Sequence, residues 1–170
     1  AATGVRVGWS FGPAKVIDKM KSILSHVGAW APKAEQLATA NYLNNTKAVD
    51  TYLENFKSEL IHRLTGFYNV FIQLKKEGFP VNAISPQAAI YLTVQLNLKG
   101  YTTLEGKVLS TNADVTAYIL SEAKIALVPF SAFGSQESAG WYRLSVGTSK
   151  LSDIEAVQTQ LKNALLKLKK

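Results

Sequence analysis

Apolar residues recur at intervals of three and four along most of this chain, and elsewhere they gather in short runs bounded by Gly and Pro. The first rhythm puts side chains on one face of a helix, and the second is that of strands. Residues 5–11 read as a short buried strand. Gly12-Pro13 then opens a helix with proline at its favoured first position. Val16, Ile17, Met20, Leu24 and Val27 fall at helical spacing, Lys15, Lys19 and Lys21 occupy other faces, and Gly28 is the stop. After the connector Ala29-Trp30-Ala31, Pro32 begins a second helix running to about Asn44, and Asn44-Asn45-Thr46 reads as a break and a new cap.

The longest periodic stretch covers residues 47–76. Val49, Leu53, Phe56, Leu60, Leu64, Phe67, Phe71 and Leu74 follow a period near that of the α-helix, which predicts one long amphipathic helix with a bend at Gly66. Lys75, Lys76, Gly78 and Pro80 mark its end. Beyond Pro86 the pattern predicts a strand over 90–96, an irregular stretch over 99–112, a helix opened by Asp114, strands over 125–128 and 142–146, and a terminal helix from about Ser152. Ser152 and Glu155 have capping-box spacing, and Ile154, Val157, Leu161, Leu165 and Leu168 form the apolar stripe. This order predicts that residues 86–170 fold as one unit, in which the strands around Ile90, Ile125 and Arg143 make a small, mainly antiparallel sheet. The helices from Asp114 and Ser152 cover it, so the fold class is α/β with an α+β small domain.

Composition narrows the function classes. A chain of 170 residues with 47% hydrophobic residues is long enough for one domain and a fraction of another. No apolar run reaches the length of a membrane span, and no secretory leader is visible at the start, so the cytoplasm is the expected location. With no cysteine, disulfides and thiolate metal sites are excluded. The formal charge of +7 is partly explained by Lys162, Lys167, Lys169 and Lys170 in the last turns of the terminal helix. The other lysines are scattered without aromatic interleaving, which argues against a nucleic-acid partner. His26 and His62 have no acidic partner in helical register, so capping or solvation is expected of both and no metal site is assigned.

Arg143, one of three arginines, lies inside the strand-like run Trp141-Tyr142-Arg143-Leu144-Ser145-Val146. A planar fork of donors that cannot lose its charge suits a carboxylate or phosphate, and an internal salt bridge is the alternative. Arg6 lies between Val5 and Val7, projecting opposite to both if the segment is a strand, and there a solvated edge position is the alternative. Trp30 sits in a short connector, where packing onto the helix pair is the plainer role.

Four blocks of the chain add a family likeness. Val128-Pro129-Phe130-Ser131-Ala132-Phe133-Gly134, followed by Arg143-Leu144-Ser145, resembles the C-terminal signature of fold-type I pyridoxal-phosphate enzymes, the class I/II aminotransferases. Gly4-Val5-Arg6-Val7-Gly8-Trp9 resembles the strand just after that family's Schiff-base lysine; Gln36-Leu37-Ala38 and Ala88-Ala89-Ile90-Tyr91-Leu92 resemble further blocks, in the right order.

The resemblance implies the C-terminal part of the pyridoxal-phosphate transferase fold. It implies pyridoxal 5'-phosphate as cofactor, with Arg6 binding its phosphate, and Arg143 binding the α-carboxylate of an amino-acid substrate. Trp30 would reach the active site of a second subunit in a homodimer. Residues 1–65 would be a remnant of the large cofactor-binding domain with the first half of the interdomain helix, and 66–170 the small domain. The family's lysine would fall before Ala1, so the chain is expected to be a piece cut just after that lysine and to be inactive alone. The implied reaction is transfer of an amino group between an amino acid and a 2-oxo acid. A lyase of the same fold, or a non-catalytic binding or dimerisation module, are the alternatives.

Overall fold

The computed structural model describes residues 3–136 and 139–170. Its elements are a 3-10 turn at Thr3–Val5, the helices α1 (Ala14–Val27), α2 (Lys33–Leu43) and α3 (Thr46–Lys76), the strands β1 (Val81–Ala83) and β2 (Tyr91–Leu96), helix α4 (Asn112–Ala123), strand β3 (Val128–Pro129), a 3-10 turn at Phe130–Phe133, strand β4 (Trp141–Ser145) and helix α5 (Asp153–Leu166). They fall into two compact units, Ala1–Asn55 and Phe56–Lys170.

The first unit is helical. Gly28 closes α1 as expected: its φ of 69° lies in the left-handed region, where glycine meets no Cβ penalty, and its N–H donates to the Leu24 carbonyl. The predicted strand over 5–11 is absent. Residues beyond Val5 run as irregular backbone, Arg6 turns with a φ of 58°, and Trp9 and Phe11 are 68% and 92% exposed. A strand is stable only with a partner for its backbone N–H and C=O groups, and none of the described strands pairs with this segment. Nor is it buried: none of residues 4–55 is, so Val16, Met20, Ile23 and Val27 of α1 stand exposed. Periodicity predicts which residues share a face, and here that face has no partner within the unit.

The second unit holds the core. Its sheet has the order β1-β2-β4-β3, antiparallel throughout. Alternation along β2 and β4 buries Leu92, Val94, Leu96, Tyr142 and Leu144 on one face. That face packs in one cluster with Leu60, Leu64, Phe67, Val70, Phe71 and Leu74 of α3, Val115 and Ile119 of α4, and Leu161 and Leu165 of α5. The order of strands and helices expected for 86–170 is present, with β1 as an additional edge strand, but the strand expected over 125–128 is shifted to Val128–Pro129. Ile125 lies just ahead of it as a buried core residue, and only Val128 and Pro129 pair with β4.

Three helix starts differ from expectation. Pro13 is the N-cap of α1, with extended backbone, and Ala14 is the first helical residue. Ser152 makes no side-chain cap bond to α5; the Asp153 carboxylate instead accepts from the Lys150 N–H at 2.8 Å. The capping box lies at α4, where the Thr111 hydroxyl accepts from the Asp114 N–H at 3.1 Å and Asp114 accepts from the Thr111 N–H at 3.0 Å. Gly66 lies within the continuous helix α3, and a Cβ there would run into Ile154 of α5, so its lack of a side chain permits close helix approach.

Candidate functional site

Arg143 lies on the open face of the sheet. In the antiparallel register Thr93 stands opposite Arg143 and Tyr91 opposite Ser145. Tyr91 is therefore the diagonal neighbour of Arg143 on the same face, within reach of a long side chain. The guanidinium carbon sits 4.4 Å from the Tyr91 ring centroid and 4.7 Å from that of Phe133. Phe133 closes the 3-10 turn that follows Pro129, and Gly134 beyond it takes a φ of 89° and donates back to the Phe130 carbonyl. Arg143 is half-buried, and among the described residues no carboxylate pairs with it. The salt-bridge alternative thus lacks a partner there, and the cation is held by rings that leave its charge in place.

Arginine at position 63 is employed differently. Its Nη1 donates to the Gly147 carbonyl at 2.9 Å and its Nη2 to Glu59 at 2.6 Å, which ties α3 to the loop after β4. The ionisable groups with displaced pKa values are likewise structural pairs. Hydrogen bonds from Lys107, then from Thr111, hold the Asp114 carboxyl well below the usual carboxylate range. Hydrogen bonds from Lys162 lower the Glu77 carboxyl and from Lys167 the Glu122 carboxyl, while burial pushes the Tyr118 hydroxyl up. None of these pairs involves Arg143.

Arg6 and Trp30 come together. Both line a cavity of about 670 Å³ in the first unit, with Trp9, Leu24, Gln36 and Leu43 among its walls. Gln36 Nε2 donates to the Ala31 carbonyl at 2.6 Å, which ties α2 to the connector that carries Trp30. Trp30 remains 53% exposed. The two histidines are local: His26 Nδ1 lies 2.8 Å from the Ser22 carbonyl and His62 Nδ1 2.9 Å from the Ser58 carbonyl, each one turn earlier in its own helix. No group of three or more metal-ligating side chains occurs among the described residues.

Sequence reasoning missed the two rings around Arg143. Their one readable trace was the aromatic character of Tyr91 and Phe133 inside the two blocks quoted above; the register that joins them is a property of the sheet.

Comparisons with known proteins bear on this geometry. The family described as aminotransferase class I and II matches residues 1–159. The chain is 31% identical over 158 residues to an aspartate aminotransferase of Geobacillus stearothermophilus, covering 92% of this chain and 35% of that protein. It is 27% identical over 164 residues to a probable aspartate/prephenate aminotransferase of Rickettsia prowazekii, covering 95% of this chain and 38% of the relative. The crystal structure of an aspartate aminotransferase from Rhizobium meliloti superposes with a TM-score of 0.74 at 25% identity, over 99% of this chain and 40% of that one. The chain thus spans well under half the length of the curated relatives it matches. Its helices and small antiparallel sheet are those of the fold-type I aminotransferases, whose cofactor is pyridoxal phosphate, and the chain belongs to the family of class I and II aminotransferases.

Proposed function

We propose that this chain is the C-terminal part of a pyridoxal-phosphate-dependent aminotransferase that moves an amino group between an amino acid and a 2-oxo acid. The observation that carries the reading is Arg143: a half-buried, permanently charged fork on the open sheet face, flanked by aromatic rings and with no carboxylate partner among the described residues. In this reading Arg143 takes the α-carboxylate of the substrate through two parallel N–H···O bonds, which fixes the reacting carbon relative to the rest of the site. Arg6 takes the cofactor phosphate. Its donor chemistry fits that group, because the guanidinium is a fixed charge and opens onto a cavity large enough to admit a phosphate. When bound, pyridoxal phosphate supplies the electron sink for the carbon that exchanges nitrogen.

The cofactor-binding lysine lies upstream of residue 1 in this reading, as does the sheet that would pair with residues 5–11. Residues 1–65 are then part of the large domain with the first half of the interdomain helix, and 66–170 the small domain. A cytoplasmic homodimer completes the assignment, with Trp30 reaching the neighbouring subunit's site. The single-residue exposure of Trp9, Phe11, Ile23 and Val27 supports a covering surface outside the first unit.

The test compares two chains. The 170-residue chain, given pyridoxal phosphate, an amino acid and a 2-oxo acid, shows no transamination and only weak, nonspecific lysine imines. The same chain preceded by its native upstream segment transaminates. A single saturable lysine adduct on the short chain, trapped by borohydride, or an inactive long chain, overturns the reading.

A further inference from the structure

We propose that Tyr91 and Phe133 are positioning residues that hold the Arg143 guanidinium ready for a carboxylate; this deepens the function proposed above and rests on it. The guanidinium carbon lies over both rings, at 4.4 Å from Tyr91 and 4.7 Å from Phe133. Neither ring serves the core: Tyr91 is 39% exposed and Phe133 56% exposed, on the face of the sheet opposite the buried cluster. An exposed aromatic pair that converges on one cation has a local task.

The chemistry of that task follows from what an arginine clamp needs. A carboxylate neighbour would hold the guanidinium still but would also occupy its in-plane donors and compete with the incoming anion. Rings bind the cation through their negative faces and leave the N–H edge and the charge available. They also restrict a side chain that otherwise samples many rotamers, so less entropy is lost when the carboxylate docks.

The two rings are themselves fixed by different devices, both of which run through β4. Tyr91 is placed by the strand register, as the diagonal neighbour of Arg143 across β2 and β4. Phe133 is placed by a turn that is tied down from below: Asn112 Nδ2 donates to Ser131 Oγ at 3.3 Å, and the buried Tyr142 hydroxyl donates to Asn112 Oδ1 at 3.2 Å. Tyr142 precedes Arg143 on the same strand and points to the opposite face. One strand thereby fixes the guanidinium on its open side and, through Asn112, the turn that carries its second ring. Phe130 packs edge-on against Phe133 with centroids 6.3 Å apart, which supports the ring from within the turn.

Two measurements test the proposal. In the 170-residue chain, Arg143 side-chain protons resonate upfield because of the rings, and Tyr91→Leu and Phe133→Leu each move them toward ordinary positions with the circular dichroism of the fold unchanged. In the full-length enzyme each Leu variant raises the KM for the amino acid by about two- to tenfold, the range of an exposed to partly desolvated cation–π contact, with kcat nearly unchanged. Tyr91→Phe and Phe133→Tyr, which keep the rings, restore the parental KM. A primary amine substrate lacking the α-carboxylate is insensitive to all four changes. If Arg143→Lys raises KM while the Leu variants do not, the positioning role is wrong and the function stands. If Arg143→Lys itself leaves KM unchanged, the function reading fails first. Absence of the upfield shift in the parent chain overturns the ring geometry directly.

Discussion

Tyr142→Phe removes one oxygen from a buried position and leaves every packing contact of the ring in place. The lost hydroxyl donates to Asn112 Oδ1 at 3.2 Å, and both residues are buried, at 0% and 3% exposure. A net hydrogen bond contributes about 0.5–1.5 kcal/mol, and an acceptor left in a dry site costs about 1–3 kcal/mol in lost solvation. Asn112 has further interactions that can share this burden, so the expected loss is about 1–2 kcal/mol. Urea unfolding of the 170-residue chain, followed by far-ultraviolet circular dichroism, reads it as a lower midpoint at constant slope. Asn112→Ala should cost more, since it also removes the bond to Ser131 and a buried side chain. The double variant should fall short of the sum by about 1 kcal/mol, the coupling of a contacting pair. An unchanged midpoint for Tyr142→Phe, or strict additivity in the double variant, would refute the idea that this pair ties β4 to α4 and the Phe133 turn.

Two other outcomes are expected. Leu74→Ala, at a position with no exposure in the core face of α3, should lower stability by about 2–5 kcal/mol in the same urea assay, and a loss below about 1 kcal/mol would mean that α3 is loosely packed. Asp114→Asn should flatten the acid limb of stability. The carboxyl is held low by Lys107 and Thr111 in the folded chain, so its contribution is complete above the ordinary carboxylate range near pH ~4 and fades as pH falls below it. Thermal midpoints of parent and variant should therefore differ at neutral pH and converge in strong acid; a constant gap at all pH values would contradict this.

The helices were legible because their signals are local. Gly28 and the Gly78–Pro80 region stop α1 and α3 where glycine and proline chemistry says they should, and the apolar stripe of α3 from Leu60 onward faces the core. Failure came where a partner decides. Residues 5–11 have strand composition, yet nothing in the described fold supplies the second strand, and α1 has an apolar face that nothing in its own unit buries. The capping-box spacing at Ser152 did not choose the cap, because Ser152 adopts helical angles; the Asp153 carboxylate accepts from the Lys150 N–H there instead. β1 follows Pro80 and is only Val81–Ala83; its alternation of buried, half-buried and buried residues is too short to stand out in the sequence. At the candidate site the arginine was legible from its type and its strand, whereas Tyr91 and Phe133 were not. They reach Arg143 only after the pairing of β2 with β4 and the fold of the Phe130–Phe133 turn have been set.

The most direct test of the proposed function is Arg143→Lys in the full-length protein, assayed with the cofactor bound. Lysine keeps the charge but loses the two-pronged geometry, so the loss of a charge-assisted pair, about 1.5–3 kcal/mol, should lower kcat/KM for the amino acid by roughly ten- to a hundredfold or more. Cofactor retention should be unchanged, since Arg143 is assigned to the substrate and Arg6 to the phosphate. Parental kinetics in the lysine variant would remove Arg143 from the site and, with it, the observation on which the function rests.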